Sequence, residues 1–240
     1  MTAGILRALM AAGLMALAAC EAPREVSAPV RPRAEGQLTP DQAAQNFVAV
    51  ARAMEPQIEA ECRARTRGRD CDYQIMVDDR PGQSPNAFQT EDRQGRPIVA
   101  FNLALIAEAR NRDELAFVMG HEAAHHIAGH IAAKTEDAFR GAVLLGVLAA
   151  AAGADPGGIT RAQDIGADLG SRAYAKDYEL EADRLGTIIT WNAGYDPIKG
   201  AQFFSRLPDP GNTFLGTHPA NALRMDIVAQ TVAELRAGRI

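Results

Sequence analysis

The run His121-Glu122-Ala123-Ala124-His125 constrains this chain more than any other part of its sequence. Two histidines four positions apart share one metal ion when the backbone between them is an α-helix. There they are turned by about 40° and separated by about one turn, so both imidazoles leave the same face. Glu122 is one step round and reaches a water on the ion without being a ligand. The surroundings agree with a helix. Asn111 with Glu114 has the form of a capping box, and Leu115, Val118, Met119 and Ile127 follow at helical spacings. The expected ion is a single zinc, which brings the pKa of a bound water to about 7, with Glu122 as the catalytic base that takes its proton.

A catalytic zinc usually has three protein ligands and one open position. His126 and His130 are near in sequence, but His126 is rotated by about 140° from His121, and His130 falls on the opposite face of a continuous helix. Neither joins the site on that reading. Ala128 and Ile131 stand where the elongated metzincin pattern needs glycine and histidine, so the third ligand comes from elsewhere. Tyr178-Glu179-Leu180-Glu181-Ala182-Asp183-Arg184 supplies candidates. Glu179 and Asp183 share one helical face, so one can bind the metal while the other accepts a hydrogen bond from a ligand histidine. Spacing alone does not decide between Glu179 and Glu181.

The two motifs together, H-E-x-x-H and then E-x-E-A-D-R-x-G, resemble the gluzincin zinc metallopeptidases of the CAAX prenyl protease, HtpX and BepA family. The likeness covers most of residues 40–235. It includes Asn86-Ala87-Phe88, residues 98–101, and the segment from His218-Pro219 to Arg224. The resemblance implies that Glu179 is the third zinc ligand and that Asp183 supports the site from behind. It gives His218 one of two roles: a regulatory ligand that fills the open position and holds the enzyme latent, or a catalytic helper that stabilises the oxyanion. It also implies peptide hydrolysis of unfolded or misassembled envelope proteins, with the chain in the soluble periplasmic branch. A zincin-like chaperone or assembly factor with little turnover is the alternative reading.

The remaining sequence places this domain in the cell. Arg7, the apolar residues 8–17 and Leu17-Ala18-Ala19-Cys20 have the layout of an export signal, too short to span a bilayer. The last four residues resemble a lipoprotein box, which implies cleavage before Cys20 and its lipidation. Residues 1–19 are thus expected to be a signal peptide, residues 20–37 a flexible tether and residues 38–240 the metallopeptidase domain. Glu21 favours the outer membrane face of the periplasm. In that oxidising compartment Cys62 and Cys71, which flank a polar loop, are expected to form a disulfide. The formal net charge of −5, with no dense basic run, argues against nucleic acid as a partner. Polypeptide substrates and a membrane reached through the lipid are the expected partners.

The expected fold is α+β and mainly helical, a zincin-like domain with a small three-stranded sheet beside the H-E-x-x-H helix. Thr39-Pro40-Asp41-Gln42 opens a long amphipathic helix carrying Phe47, Val50, Ala51, Met54 and Ile58. Strands are expected around residues 73–77, 87–88 and 98–101, with an extended substrate adding itself along the last. The apolar residues 142–152 read as a buried helix. Further helices are expected over residues 173–192, 197–207 and 220–236.

Overall fold

The computed structural model describes residues 36–207 and 219–240. Helix α1 (Pro40–Arg65) opens on a complete capping box. Gln42 N–H donates to Thr39 Oγ1 at 3.1 Å, and Thr39 N–H donates to Gln42 Oε1 at 2.9 Å. These bonds satisfy backbone donors that have no partner within the helix. Val50, Met54 and Ile58 lie on one face and are fully buried. The helix ends at the Cys62–Cys71 disulfide, whose Cα atoms are 5.7 Å apart.

Three strands follow: β1 (Gln74–Asp78), β2 (Ala87–Glu91) and β3 (Pro97–Asn102). Their order in the sheet is β1-β3-β2, with β1 parallel and β2 antiparallel to β3. The central strand β3 is therefore paired on both sides. It offers no free edge to a substrate, contrary to the expectation for residues 98–101. Among the described residues the open edge nearest the site belongs to β2. Val99 and Phe101 point into the core, where the Phe101 ring meets Phe47 of α1 at 5.3 Å between centroids.

A short helix α2 (Leu103–Glu108) leads to α3 (Arg112–Ala128), which carries His121, Glu122 and His125. Asn111 caps α3, its side-chain oxygen accepting from Glu114 N–H at 3.0 Å. Glu114 is buried and accepts both guanidinium nitrogens of Arg206. Gly129, at φ +77°, ends α3 in the left-handed region. Helices α4 (His130–Ala151) and α5 (Pro156–Ala173) then form a hairpin, and α6 (Ala175–Asn192) returns across α3. Helix α7 (Pro197–Ala201), a single 3-10 turn at Phe204–Arg206 and α8 (Asn221–Arg236) close the domain. The architecture is α+β and mainly helical, as the sequence leads one to expect.

The hairpin corrects one expectation. The apolar stretch of α4 is not buried: Phe139 is 69% and Val147 62% exposed, and Leu144 and Leu148 are exposed with them. The reason lies in its glycines. A Cβ on Gly141 would stand 2.0 Å from the Gly166 carbonyl oxygen, and one on Gly170 would stand 2.1 Å from that of Asp137. The two helices meet backbone to backbone through their small residues, which turns the larger apolar chains outward. No helix among the described residues is long and apolar enough to cross a membrane.

Candidate metal centre

The crossing of α3 and α6 builds the site. Gly120 and Gly186 face each other, and the Thr190 hydroxyl lies in the same contact, donating to the Gly186 carbonyl at 2.7 Å and standing 3.4 Å from the Ala116 carbonyl of α3. Ala123 and Ala182 are fully buried small residues of the same two helices. With the backbones this close, the side chains of Glu179 and Asp183 reach those of α3.

Three donors converge. His121 Nε2 and His125 Nε2 are 3.1 Å apart. Glu179 Oε2 is 3.5 Å from the first and Glu179 Oε1 is 3.5 Å from the second. Ligand atoms about 2.1 Å from a tetrahedral ion stand about 3.4 Å from one another. Two imidazoles and one carboxylate in a triangle of that size suit a divalent transition metal, and this donor set is one used by catalytic zinc. Among the described residues this is the one cluster of three or more His, Cys, Asp or Glu side chains with such geometry.

Asp183 supports the first ring. Its Oδ1 lies 2.9 Å from His121 Nδ1, and Arg224 of α8 clamps the carboxylate with Nε and Nη2, both at 2.7 Å. A fully buried carboxylate without a cation would be costly, so Arg224 balances the charge that Asp183 brings in. The guanidinium in turn lies on the Phe204 ring at 3.5 Å. The resemblance pointed to Arg224 only as part of a segment, and its partner is visible only once α8 is packed.

The site's titrations follow from this arrangement. Burial opposes charge on His121, but the hydrogen bond and charge of Asp183 outweigh it and hold that ring up at about 9. Burial, and then the charge of His121, press His125 down to about 2. The two rings therefore do not both carry an extra proton, and His125 presents a neutral ring. Burial raises Glu122 to about 7, with His121 pulling it down and Glu179 pushing it up. Glu122 lies in the same cleft, beside Gln89 of the edge strand. The cleft holds about 330 Å³ and is walled by β2 on one side and by Phe203, Phe204 and Leu207 on another.

The two other histidines part company. His126 turns away, its Nε2 at 2.9 Å from the Asp70 carbonyl oxygen, and Arg69 Nη1 donates to the His126 carbonyl at 2.8 Å. The loop closed by the disulfide thus holds the end of the metal helix. His130 does not point away as a continuous helix would require. Gly129 breaks the helix, and His130 Nδ1 comes to 2.8 Å from His125 Nδ1. Glu181 faces His130, not the metal triangle, with Oε2 at 3.3 Å from Nε2. Cys20 and His218 lie outside the described residues.

Comparison with known proteins gives the family. The model of a family described as peptidase family M48 matches residues 45–232. A protein of Vibrio cholerae serotype O1, provisionally named beta-barrel assembly-enhancing protease, is 37% identical over 118 residues, covering 46% of this chain and 24% of that one. The mitochondrial metalloendopeptidase OMA1 of Arabidopsis thaliana is 29% identical over 137 residues, covering 55% of this chain and 27% of that one. The beta-barrel assembly-enhancing protease of Escherichia coli K12 is 29% identical over 140 residues, covering 53% and 29%. The matched segments therefore span only 24% to 29% of the length of these relatives.

Proposed function

This chain belongs to peptidase family M48, and from that membership we propose that it is a zinc-dependent endopeptidase acting on unfolded or misassembled envelope proteins. The observation that carries the proposal is the triangle of His121 Nε2, His125 Nε2 and the Glu179 carboxylate, with the half-buried Glu122 in the same cleft. His121, His125 and Glu179 hold the ion. When bound, zinc supplies Lewis-acid polarisation of a peptide carbonyl and acidifies water.

The protein's own groups do the rest. Glu122 takes a proton from the attacking water and passes it to the departing amine, a task suited to a carboxyl whose burial raises it toward neutrality. Asp183, braced by Arg224, fixes the His121 ring. An extended substrate lies along the open edge of β2, where main-chain pairing reads backbone more than side chains and so accepts unfolded polypeptides. His218 acts as an inhibitory ligand or as an oxyanion donor, and substitution by alanine separates the two: activity rises in the first case and falls in the second.

Residues 1–19 serve as a lipoprotein signal, lipid on Cys20 anchors the chain through the 20–37 tether, and residues 38–240 work in the periplasm at the outer membrane. The names of the Vibrio cholerae and Escherichia coli relatives support a role at the envelope. The decisive assay compares wild type with Glu122→Gln on an unfolded casein. Cleavage by wild type alone supports a peptidase. Equal cleavage by both removes Glu122 from the chemistry, and absence of cleavage by either supports a zincin-like chaperone instead.

A further inference from the structure

Two imidazole nitrogens 2.8 Å apart share a single proton, one ring donating and the other accepting. The direction of the bond between His125 and His130 is set at the far side of His125. Its Nε2 faces His121 Nε2 and Glu179, where a ligand needs a bare lone pair. A neutral His125 therefore carries its proton on Nδ1 and donates it. His130 Nδ1 must accept, which leaves the His130 proton on Nε2, 3.3 Å from Glu181 Oε2. The opposite direction would put the proton of His125 on Nε2 and close that atom to a metal.

We propose that His130 is a positioning residue that fixes the rotation and tautomer of His125, and that Glu181 fixes His130 in the same way. The proposal rests on the reading of His121, His125 and Glu179 as metal ligands. The packing that holds His130 is independent of any ion. His130 is buried, and its ring is stacked on Tyr178 at 4.8 Å with 28° between the planes. Tyr178 is itself held by its hydroxyl, which donates to Asp137 Oδ2 at 2.6 Å. The ring therefore has one orientation, and that orientation offers nitrogen to His125. The two ligand rings are thus braced differently. A buried carboxylate balanced by arginine holds His121, while a neutral imidazole holds His125 and leaves its carboxylate, Glu181, near solvent at 62% side-chain exposure.

The test measures zinc affinity by chelator competition and the visible spectrum of the cobalt-substituted protein. The variants are His130→Phe, His130→Asn and Glu181→Ala, with Glu179→Ala as the ligand control. Phenylalanine keeps the volume and the stacking on Tyr178 but cannot accept a hydrogen bond. It should weaken zinc binding by about 10- to 100-fold and shift the cobalt bands, because lost support behind a ligand has effects of that size. Asparagine, which retains an acceptor, should recover part of the loss. Glu181→Ala should weaken binding in the same direction, and being an exposed position it keeps the test open if a His130 variant fails to fold. Wild-type zinc affinity and unchanged cobalt bands in both His130→Phe and Glu181→Ala would overturn the proposal. Wild-type protein that binds no zinc, or Glu179→Ala that binds it as tightly as wild type, would instead overturn the ligand reading beneath it.

Discussion

Gly120 of α3 and Gly186 of α6 touch through their backbones: a Cβ on Gly120 would stand 2.9 Å from the Gly186 carbonyl oxygen, and one on Gly186 would stand 2.8 Å from the His121 nitrogen. This contact sets the distance between the helix that carries the histidines and the helix that carries Glu179. Because both neighbours are backbone, neither can swing away. Gly186→Ala should therefore separate the helices, costing about 1–3 kcal/mol. Differential scanning calorimetry should record a lower Tm, and zinc affinity should fall with it.

Asp183 and Arg224 form a buried pair beside His121. Removing one member leaves the other charged and buried, which costs about 3–5 kcal/mol. Asp183→Ala should accordingly be more damaging to stability, followed by chemical denaturation, than loss of any surface ion pair such as Arg140–Glu136, worth about 0–1 kcal/mol. In protein that still folds, zinc affinity should drop by about 10- to 100-fold.

The α4–α5 hairpin gives a paired comparison. Leu144 is 60% exposed, so Leu144→Ser should change stability by no more than about 0.5 kcal/mol. Gly166 faces the Gly141 carbonyl across the hairpin, so Gly166→Val should disrupt the pairing and expose the hairpin to limited proteolysis. A Leu144 variant that melts like a core mutant would mean that this stretch is buried after all.

The Cys62–Cys71 bridge closes a short loop whose Arg69 and Asp70 hold the end of α3. Its removal by Cys62→Ser with Cys71→Ser should cost about 2–3 kcal/mol on the loop-entropy relation. Urea melts with and without reductant should show that loss in wild type and none in the double variant.

Glu122 supplies a pH prediction. A base works when deprotonated, so kcat/KM should fall as pH drops through the pKa of this group. Burial raises Glu122 to about 7, and a bound cation lowers it, so the acid limb should have its midpoint at or below about 7. Glu122→Gln should abolish that limb along with at least about 100-fold of the rate while leaving zinc content unchanged.

The parts of the site that depend on helical spacing were legible in the sequence. His121, Glu122 and His125 needed only the 3.6-residue period and the Asn111 cap. The capping box at Thr39 is legible in the same way. Contacts between elements were not. Glu179 and Glu181 are equivalent by spacing, and only the crossing at Gly186 turns one toward the histidines and the other toward His130. His130 falls on the opposite face only if the helix is continuous, and Gly129 ends it there in the left-handed region. Apolar content says nothing about which face a partner covers, which is why α4 reads as buried from its sequence alone, and the local signal for α5 is limited to Asp155-Pro156, an N-cap and first-turn pair. The central place of β3 depends on strand order, which no local pattern encodes.

The most direct test is a crystal structure with anomalous data collected on both sides of the zinc edge. A single zinc peak about 2.0–2.2 Å from His121 Nε2, His125 Nε2 and a Glu179 carboxylate oxygen is the result expected here. Well-ordered protein grown with zinc in the medium that shows no anomalous peak between these three side chains would contradict it.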